Sequence, residues 1–197
     1  MNTPFDAFAP TYDEDTFHPY VAEQLVAELP RRPRLLVDVA CGTGAAAFAA
    51  LRLEPTAVFA VDLSVPMVEL ARGKAVELDP EGRITWHVGP ANPLPIGDGE
   101  ADALVCASAL HFLGQSALAD WHRVLRPGGR LAFSMVQAAR FKRGDDFPFP
   151  ADLRVPATLE DAAALATDAG FHSATARHLT LDQGDRVRQV FAVFATA

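Results

Sequence analysis

The sequence has few cysteines and fewer basic than acidic residues. Its 2 cysteines, Cys41 and Cys106, lie far apart and form no Cys-x-x-Cys pair, which excludes a disulfide scaffold and a cysteine zinc site. So few cysteines fit a reducing compartment, and we expect a cytoplasmic protein. The 17 Lys and Arg residues against 25 Asp and Glu residues give a formal net charge of −8, which disfavours nucleic acid and anionic membranes as partners.

Long hydrophobic runs are also missing. The longest apolar stretch, 101–113, is interrupted by Asp102 and His111 and is too short to cross a bilayer. The N-terminus, MNTPFDAFAP, has neither a basic start nor an apolar run and does not resemble a secretory signal. Neither histidines nor carboxylates have metal-ligand spacing, so no metal is expected. What is present is a chain of 197 residues, 50% of them hydrophobic, which suffices for the core of one domain.

Strand and helix patterns alternate along the first two thirds of the chain. Short apolar runs predict buried strands, and stretches with helical spacing follow most of them. The predicted strands are 35–40, 57–61, 84–88, 102–107 and 130–136, and the predicted helices are 20–29, 45–51, 66–78 and 117–125. This alternation predicts a parallel sheet covered by helices on both faces.

Beyond residue 136 the pattern changes. Residues 137–157 are charged, aromatic and proline-containing, which predicts a lid loop. A helix over 159–169 then precedes two β-like runs, 173–181 and 187–195, joined by a hairpin turn. We expect one domain over 1–197, divided into an N-terminal cap at 1–33, a cofactor-binding core at 34–136, the lid at 137–157, and a C-terminal helix and hairpin at 158–197.

The turn after the first strand carries the clearest functional signal. Gly42 and Gly44 follow a buried strand and precede a helix, so the backbone can approach a ligand closely. Asp38 lies inside the end of the strand, where a buried carboxylate needs a partner that a cationic or amino ligand would supply. The second strand ends at Asp62, and 62 − 44 = 18 is close to the spacing of an acid that accepts ribose hydroxyls. We therefore expect a ligand at the carboxyl edge of the sheet.

Over nearly its whole length the sequence resembles the class I S-adenosylmethionine-dependent methyltransferases that act on small molecules. The segments that carry the resemblance are FDAFAPTYD at 5–13, LVDVACGTG at 36–44, AVDLSVPMVELAR at 60–72, LP at 94–95, DALVCASALHFL at 102–113 and WHRVLRPGGRLAF at 121–133. The resemblance implies an α/β fold, a Rossmann-like three-layer sandwich whose seven-stranded, mostly parallel sheet includes an antiparallel C-terminal strand. It also implies S-adenosylmethionine as cofactor and in-line methyl transfer to an O, N or C atom of a small molecule.

The resemblance further implies which residues contact the cofactor. Asp62 would hold the ribose hydroxyls, Asp38 would lie near the ammonium group or its water, and Tyr12 would close over the cofactor. The remaining contacts lie under the methionine part or around the adenine, and the complete set is Tyr12, Asp38, Ala40, Cys41, Gly42, Gly44, Asp62, Leu63, Met67, Ala91, Asn92, Ala107 and Ser108.

Two positions depart from the family pattern. Pro90 stands where the family often has an acid that contacts the adenine amino group, and proline cannot make that hydrogen bond. We expect Asn92 or packing to hold the adenine instead. Ala40 stands where many members have glycine, and we expect its methyl group to be tolerated.

His111, just past the fourth strand, is the candidate catalytic residue. A histidine with an ordinary pKa near 6.5 suits a general base, although it could instead only shape the pocket. The other histidines, including His18, are expected at the surface or hydrogen-bonded in the core. Phe141, Phe147 and Phe149 in the predicted lid indicate an apolar or aromatic acceptor.

Two other functions stay open. A nicotinamide-dependent oxidoreductase shares the glycine turn and the acid, but the chain has no Tyr-x-x-x-Lys pair. A cofactor-binding protein without turnover, acting through a partner, is compatible with Pro90 and the short lid. The sequence identifies neither the acceptor nor the oligomeric state.

Overall fold

A computed structural model of the protein describes residues 3–142, 147 and 149–197. The strands of this part of the chain are β1 (Leu35–Val39), β2 (Ala57–Asp62), β3 (Ile84–Val88), β4 (Ala101–Cys106), β5 (Leu125–Met135), β6 (His172–Asp182) and β7 (Val187–Thr196). The helices are α1 (Phe17–Val26), α2 (Ala45–Ala50), α3 (Val65–Leu78), α4 (Leu110–Leu113), α5 (Ser116–Val124) and α6 (Leu159–Thr167), with 3₁₀ helices over Asp6–Glu14 and Leu51–Leu53.

The seven described strands form one sheet in the order β3-β2-β1-β4-β5-β7-β6. Strands β1 to β5 pair in parallel, and β7 pairs antiparallel with both β5 and β6. The predicted mostly parallel, seven-stranded fold with an antiparallel C-terminal strand is therefore confirmed. The chain runs from β1 outward to β3 and then returns to β4 on the other side of β1, so a crevice opens between the carboxyl ends of β1 and β4.

Helices cover both faces of the sheet because its central strands are apolar on both sides. Every residue of β4 is buried, as in a strand with helices above and below it. On one face, Leu118 and Trp121 of α5 pack with Leu104 of β4. On the other face, Val21 and Leu25 of α1 pack in a second core with the alanine-rich α2. These two cores hold the strand ends that form the crevice.

The structure differs from the predicted elements in four places, the first of which is helix α1, which spans Phe17–Val26 rather than residues 20–29. The lead-in contains the 3₁₀ helix Asp6–Glu14, and α4 interrupts the loop after β4, because short helical turns have no long apolar period. Strand β5 begins at Leu125 rather than at residue 130, since Leu125 pairs with Ala101 before the register shifts. A side chain at Gly129 would come within 2.8 Å of the Arg126 carbonyl oxygen, so glycine permits this irregular start.

Two of the expectations from composition can be compared with the structure. No helix in the described ranges is both long and apolar enough to cross a membrane. Within the same residues, no group of three His, Cys, Asp or Glu side chains is arranged to hold a metal ion. The predicted lid, 137–157, includes residues 143–146 and 148, which lie outside the described residues.

Candidate active site

A cavity of about 1080 Å³ opens at the carboxyl edge of the sheet. Its walls include Ala40 after β1, Asp62 at the end of β2 and Ala107 after β4, which places it in the crevice where the strand order reverses. The predicted site residues that line it are Tyr12, Ala40, Gly42, Asp62, Leu63, Met67, Ala91, Asn92, Ala107, Ser108 and His111. Asp38, Cys41 and Gly44 are outside its lining. The structure therefore brings most of the predicted residues together around one space.

The two glycines of the turn have different roles. Gly42 has a φ of +53° and faces the cavity, with the ring of Tyr12 only 3.6 Å from where a Cβ would stand. Gly44 has a φ of +91°, and a Cβ there would come within 2.6 Å of Trp86 and 2.8 Å of Phe48. Gly42 thus brings backbone to the cavity wall beside the Tyr12 ring, whereas Gly44 is required by packing beneath the turn.

Asp62 connects the turn to the end of β2. Its Oδ2 accepts a 2.8 Å hydrogen bond from the Gly42 N–H, and its Oδ1 accepts one of 2.8 Å from the Ser64 N–H. Burial raises the pKa of Asp62 above its ordinary value, and these backbone donors oppose that rise. Each oxygen keeps a second lone pair, so the carboxylate can also accept two hydroxyl groups from a ligand.

Asp38 is a buried carboxyl group beneath the turn. It is 1% exposed on β1 and accepts a hydrogen bond from the Ala47 backbone N–H, and its Oδ2 has no hydrogen-bond partner in residues 3–142, 147 and 149–197. Burial raises its pKa to about 7, and the nearby charge of Asp62 adds to that rise. A cationic group in the crevice would lower the cost of ionising this side chain.

Mainly apolar groups form the wall beyond Asp62. Leu63 is 45% exposed, Met67 is buried on α3, and Pro90 offers no N–H. The Asn92 side chain donates a 3.3 Å hydrogen bond to Ser116 Oγ, which uses one of its two amide N–H donors. This wall suits a flat ring held mainly by packing.

The opposite wall, after β4, has an unpaired hydroxyl group. Ser108 has a φ of +62°, and its N–H donates a 2.8 Å hydrogen bond to Ser134 Oγ. Its own Oγ is buried and has no partner in the structure. Ser108 can therefore donate a hydrogen bond to, or accept one from, a ligand.

The Cys41 thiol is buried, and burial raises its pKa well above the ordinary value, which agrees with a packing role.

His111 lies on α4 among aromatic rings. Its ring centroid is 3.9 Å from that of Phe112. Burial lowers the pKa of His111 to about 4, with a smaller contribution from the nearby His18, so the imidazole is neutral at pH 7. Its Nδ1 is buried and has no hydrogen-bond partner within the part of the chain that the structure describes. This histidine is unprotonated, but it binds a proton more weakly than free imidazole does.

The rings around His111 form a contiguous group that we call the phenylalanine cluster. Its members touch one another with ring centroids between 4.9 and 6.5 Å apart, and they are Phe5, Phe8, Phe112, Phe141, Phe147 and Phe149. Phe5, Phe8, Phe112 and Phe147 line the cavity. The cluster makes one end of the cavity strongly apolar.

The sequence interpretation missed three titratable side chains that line the same cavity. His18, Asp15 and Arg188 all line it, although His18 was expected at the surface or in the core. The His18 ring stacks on Tyr12 at 5.2 Å, and Arg188 donates to both oxygens of Asp15 at 2.5 Å. In the sequence, this group is indicated only by the three-residue spacing of Tyr12, Asp15 and His18. Arg188 gives no local signal because it is 173 positions from Asp15.

These groups fit S-adenosylmethionine. Asp62 offers free lone pairs to a ribose, and the positive φ of Gly42 keeps a backbone surface open. The unpartnered, buried Oδ2 of Asp38 calls for a cationic neighbour, which the cofactor's amino-acid part provides. The apolar wall beyond Asp62 suits an adenine.

Comparisons with known proteins agree with this fit. Residues 37–133 match the model of a family described as a methyltransferase domain. The ubiquinone/menaquinone biosynthesis C-methyltransferase UbiE of Dinoroseobacter shibae is 39% identical over 105 residues, which are 52% of this chain and 42% of that protein. The 27-O-demethylrifamycin SV methyltransferase of Amycolatopsis mediterranei is 29% identical over 153 residues, 65% of this chain and 55% of that protein. This chain thus spans about half the length of the curated relatives it matches.

One solved structure shares the fold and contains ligands. It is the 1,6-didemethyltoxoflavin-N1-methyltransferase of Burkholderia thailandensis with bound 1,6-didemethyltoxoflavin and S-adenosylhomocysteine. It aligns with a TM-score of 0.73 and 21% sequence identity, covering 98% of this chain and 83% of that one. At 21% sequence identity this similarity is evidence for a shared fold alone.

Proposed function

We propose that this chain is a class I S-adenosylmethionine-dependent methyltransferase and that it methylates a small, largely apolar molecule. The observation that carries the proposal is that one cavity is lined by two unlike sets of groups. Gly42, Asp62 and the apolar wall fit the cofactor, and we call this part the cofactor end. The phenylalanine cluster lines the part that we call the acceptor end. A cofactor and an acceptor can therefore occupy the same space side by side.

In this proposal each residue has a simple task. Asp62 accepts the ribose hydroxyls, Leu63 and Met67 pack on the adenine, and the turn at Gly42 supports the amino-acid part. Tyr12 packs beside that part, since its ring lies against Gly42 and lines the same cavity. S-adenosylmethionine supplies a methyl group on a positively charged sulfur that leaves readily. Alignment of two reactants of this kind can contribute roughly 7–11 kcal/mol to lowering the barrier.

The protein also excludes water from the reacting groups. The phenylalanine cluster surrounds the acceptor end, and apolar walls strengthen the electrostatic interactions that remain. The names of the relatives support small acceptors, because UbiE is a quinone-biosynthesis C-methyltransferase and another relative, from Xylella fastidiosa, is a malonyl-[acyl-carrier protein] O-methyltransferase. These names differ in the atom methylated, so we propose the class of acceptor and not the atom.

We propose that His111 contacts the acceptor. It is also the general base that the sequence predicts. Because burial lowers the pKa of His111 to about 4, a wild-type pH–rate profile between pH 6 and 8 stays flat with respect to this group. A His111→Gln variant tests the contact better than the profile does. We expect a loss of turnover of about 10-fold or more with unchanged S-adenosylhomocysteine affinity, and unchanged turnover would contradict the proposal.

The proposed function is tested by incubating the protein with tritium-labelled S-adenosylmethionine and a panel of naphthols, hydroquinones, amines and carboxylic acids. We expect label in at least one extracted product and S-adenosylhomocysteine binding by calorimetry. Binding without labelled product would favour a cofactor-binding protein that acts through a partner. Enhanced NADH fluorescence without S-adenosylhomocysteine binding would favour an oxidoreductase.

A further inference from the structure

His18 has one ring nitrogen beside a carboxylate and the other without a partner. Its Nε2 lies 3.4 Å from Asp15 Oδ2. A carboxylate oxygen at that distance favours the proton on Nε2, which leaves a lone pair on Nδ1. Nδ1 is buried and has no hydrogen-bond partner among the described residues, and His18 lines the cavity. A buried, unpaired acceptor of this kind is costly unless a ligand donates a hydrogen bond to it.

Asp15 is itself held rigidly. Its carboxylate accepts hydrogen bonds from Arg188 and from the Phe17 N–H at 2.9 Å. Arg188 in turn lies over the ring of Phe17, 4.1 Å from its centroid. On the other side, the Tyr12 ring stacks on His18 with an interplanar angle of 12°. These contacts fix the direction in which Nδ1 points, as the supporting residues of a catalytic histidine do.

The unpaired Nδ1 of His18 calls for a ligand that donates a hydrogen bond. Among the described residues, His111 also has a buried Nδ1 without a partner, and both histidines line the cavity, as four members of the phenylalanine cluster do. A neutral imidazole with its proton on Nε2 accepts from a hydroxyl group at Nδ1 but offers no hydrogen there to a carboxylate or a carbonyl oxygen. An aromatic ring suits the cluster, and a hydroxyl group on that ring suits the nitrogen.

We propose that the acceptor is an aromatic hydroxyl compound and that His18, positioned by Asp15, accepts its hydroxyl hydrogen bond and then its proton. This inference rests on the proposed function. As the O–H bond breaks, its proton bonds to Nδ1 and its electron pair stays on oxygen. An oxygen electron pair forms the new O–CH3 bond, while the S–CH3 bond breaks and leaves its electron pair on sulfur. The imidazolium is stabilised by Asp15 and later releases the proton to water.

His18 is better placed for proton transfer than His111. Burial lowers the pKa of His18, but Asp15 opposes that change while Arg188 adds to it. Tyr12 and His111 are the other titratable side chains facing this ring, and burial raises the pKa of Tyr12 to about 12. His18 therefore faces a carboxylate that stabilises its protonated form and a guanidinium that opposes it, and the neighbouring phenol stays neutral.

The first test measures binding alone. Dissociation constants of 2-naphthol and of its methyl ether, 2-methoxynaphthalene, are measured on the wild-type protein saturated with S-adenosylhomocysteine. We expect 2-naphthol to bind about 10-fold more tightly, the value of one buried hydrogen bond. His18→Phe should lower this ratio to about one, and His172→Asn, at an exposed histidine, should leave it unchanged. A wild-type ratio near one, or a preference that survives His18→Phe, would overturn the proposal.

The second test separates proton transfer from binding. Asparagine at position 18 can retain a hydrogen-bonding group near Nδ1 but cannot take up a proton. His18→Asn should therefore lose about 100-fold or more in kcat on 2-naphthol with a smaller change in KM. A nitronaphthol that is already ionised at the assay pH should recover most of that loss, which a purely structural defect would not permit. Equal losses on both naphthols would overturn the base role.

The outcomes also separate this inference from the proposed function. S-adenosylhomocysteine affinity of each variant reports whether the cofactor end is intact. A 2-naphthol preference that depends on His18, without methyl transfer to any compound, would support the hydroxyl contact and contradict the proposed function. Methyl transfer only to acceptors without a hydroxyl group would support the proposed function and overturn this inference.

Discussion

The backbone N–H of Gly42 donates a 2.8 Å hydrogen bond to the carboxylate of Asp62. This bond ties the end of β2 to the turn after β1, so the side chain that faces the cavity also shapes the turn. Removing Asp62 therefore affects both the fold and the ligand site. The two effects can be separated only when stability and affinity are measured on the same variants.

We expect Asp62→Ala to weaken S-adenosylhomocysteine binding by at least 10-fold, because hydrogen bonds to a charged group contribute about 1.5–3 kcal/mol each. Binding is measured by calorimetry and stability by urea unfolding. Asp79 is a matched control, since it accepts hydrogen bonds from the N–H groups of Arg83 and Ile84 but is outside the cavity lining. Asp79→Ala should lower stability without changing affinity. An Asp62→Ala affinity within twofold of the parent would contradict the ribose role.

The parts of the fold that could be predicted depend on local patterns. Strand β4 is buried on both faces, and the apolar run after Asp102 indicates a strand without knowledge of its neighbours. Ser64 caps α3 by accepting a hydrogen bond from the Met67 N–H, and a serine before a proline-started helix is a local signal. The spacing from the glycine turn to Asp62 is likewise local to one strand–helix–strand unit.

The parts that could not be predicted depend on distant contacts. Asp15 and Arg188 meet only because the C-terminal hairpin lies beside the N-terminal segment. The environment of His18 depends on this contact, so the residues next to His18 in the sequence do not predict its position in the cavity. The packing role of Gly44 depends on Trp86 of β3, which a residue pattern around the turn does not contain.

Asp38 predicts an unusual dependence of stability on pH. Burial raises the pKa of Asp38 to about 7 from an ordinary 3.8, so the folded chain holds this proton more tightly than the unfolded chain does. Stability from this group is therefore present at low pH and falls as pH rises from about 4 to about 7, by a few kcal/mol in all. Relative to Asp38→Asn, the wild-type protein should lose stability between pH 5 and pH 8 in urea unfolding.

Asp102 is the control for that measurement. Burial tends to raise its pKa, but hydrogen bonds from Arg126 and from the backbone of Leu35 and Arg34 lower it overall. Its contribution is lost only as pH falls through that lowered pKa, outside the range tested. The stability difference between wild type and Asp102→Asn should stay constant from pH 5 to pH 8. A constant difference for Asp38→Asn as well would show that its carboxyl group is ionised throughout.

Ala40 is held in a conformation that suits glycine. Its φ is +54°, in the left-handed region that costs a residue with a side chain about 1–2 kcal/mol. Glycine relieves this strain but gains about 0.5–1 kcal/mol of conformational freedom in the unfolded chain. Ala40→Gly should therefore raise stability by about 0.5 kcal/mol, measured by thermal unfolding. Ala75→Gly, within α3, should lower it by about 1 kcal/mol, and a comparable loss at position 40 would contradict the strain argument.

Gly44 provides the clearest distinction between a packing role and a ligand role. Gly44→Ala adds a methyl group at a φ of +91°, within 2.6 Å of the Trp86 ring, so strain and overpacking combine. The expected loss is about 2–5 kcal/mol, the sum of a left-handed residue and an overfilled core. Gly82→Ala is the matched control, because φ is +65° there and nothing lies within 4 Å of the added atom.

Gly82→Ala should lower the free energy of unfolding in urea by about 1–2 kcal/mol, the cost of the left-handed conformation alone. The source of the excess at position 44 can then be assigned with a second substitution. Trp86→Leu shortens the nearest ring, so Gly44→Ala should cost less in that background than in the wild type, a non-additivity expected for residues in contact. Additive effects of the two substitutions, or a loss at position 44 no larger than at 82, would contradict the packing role.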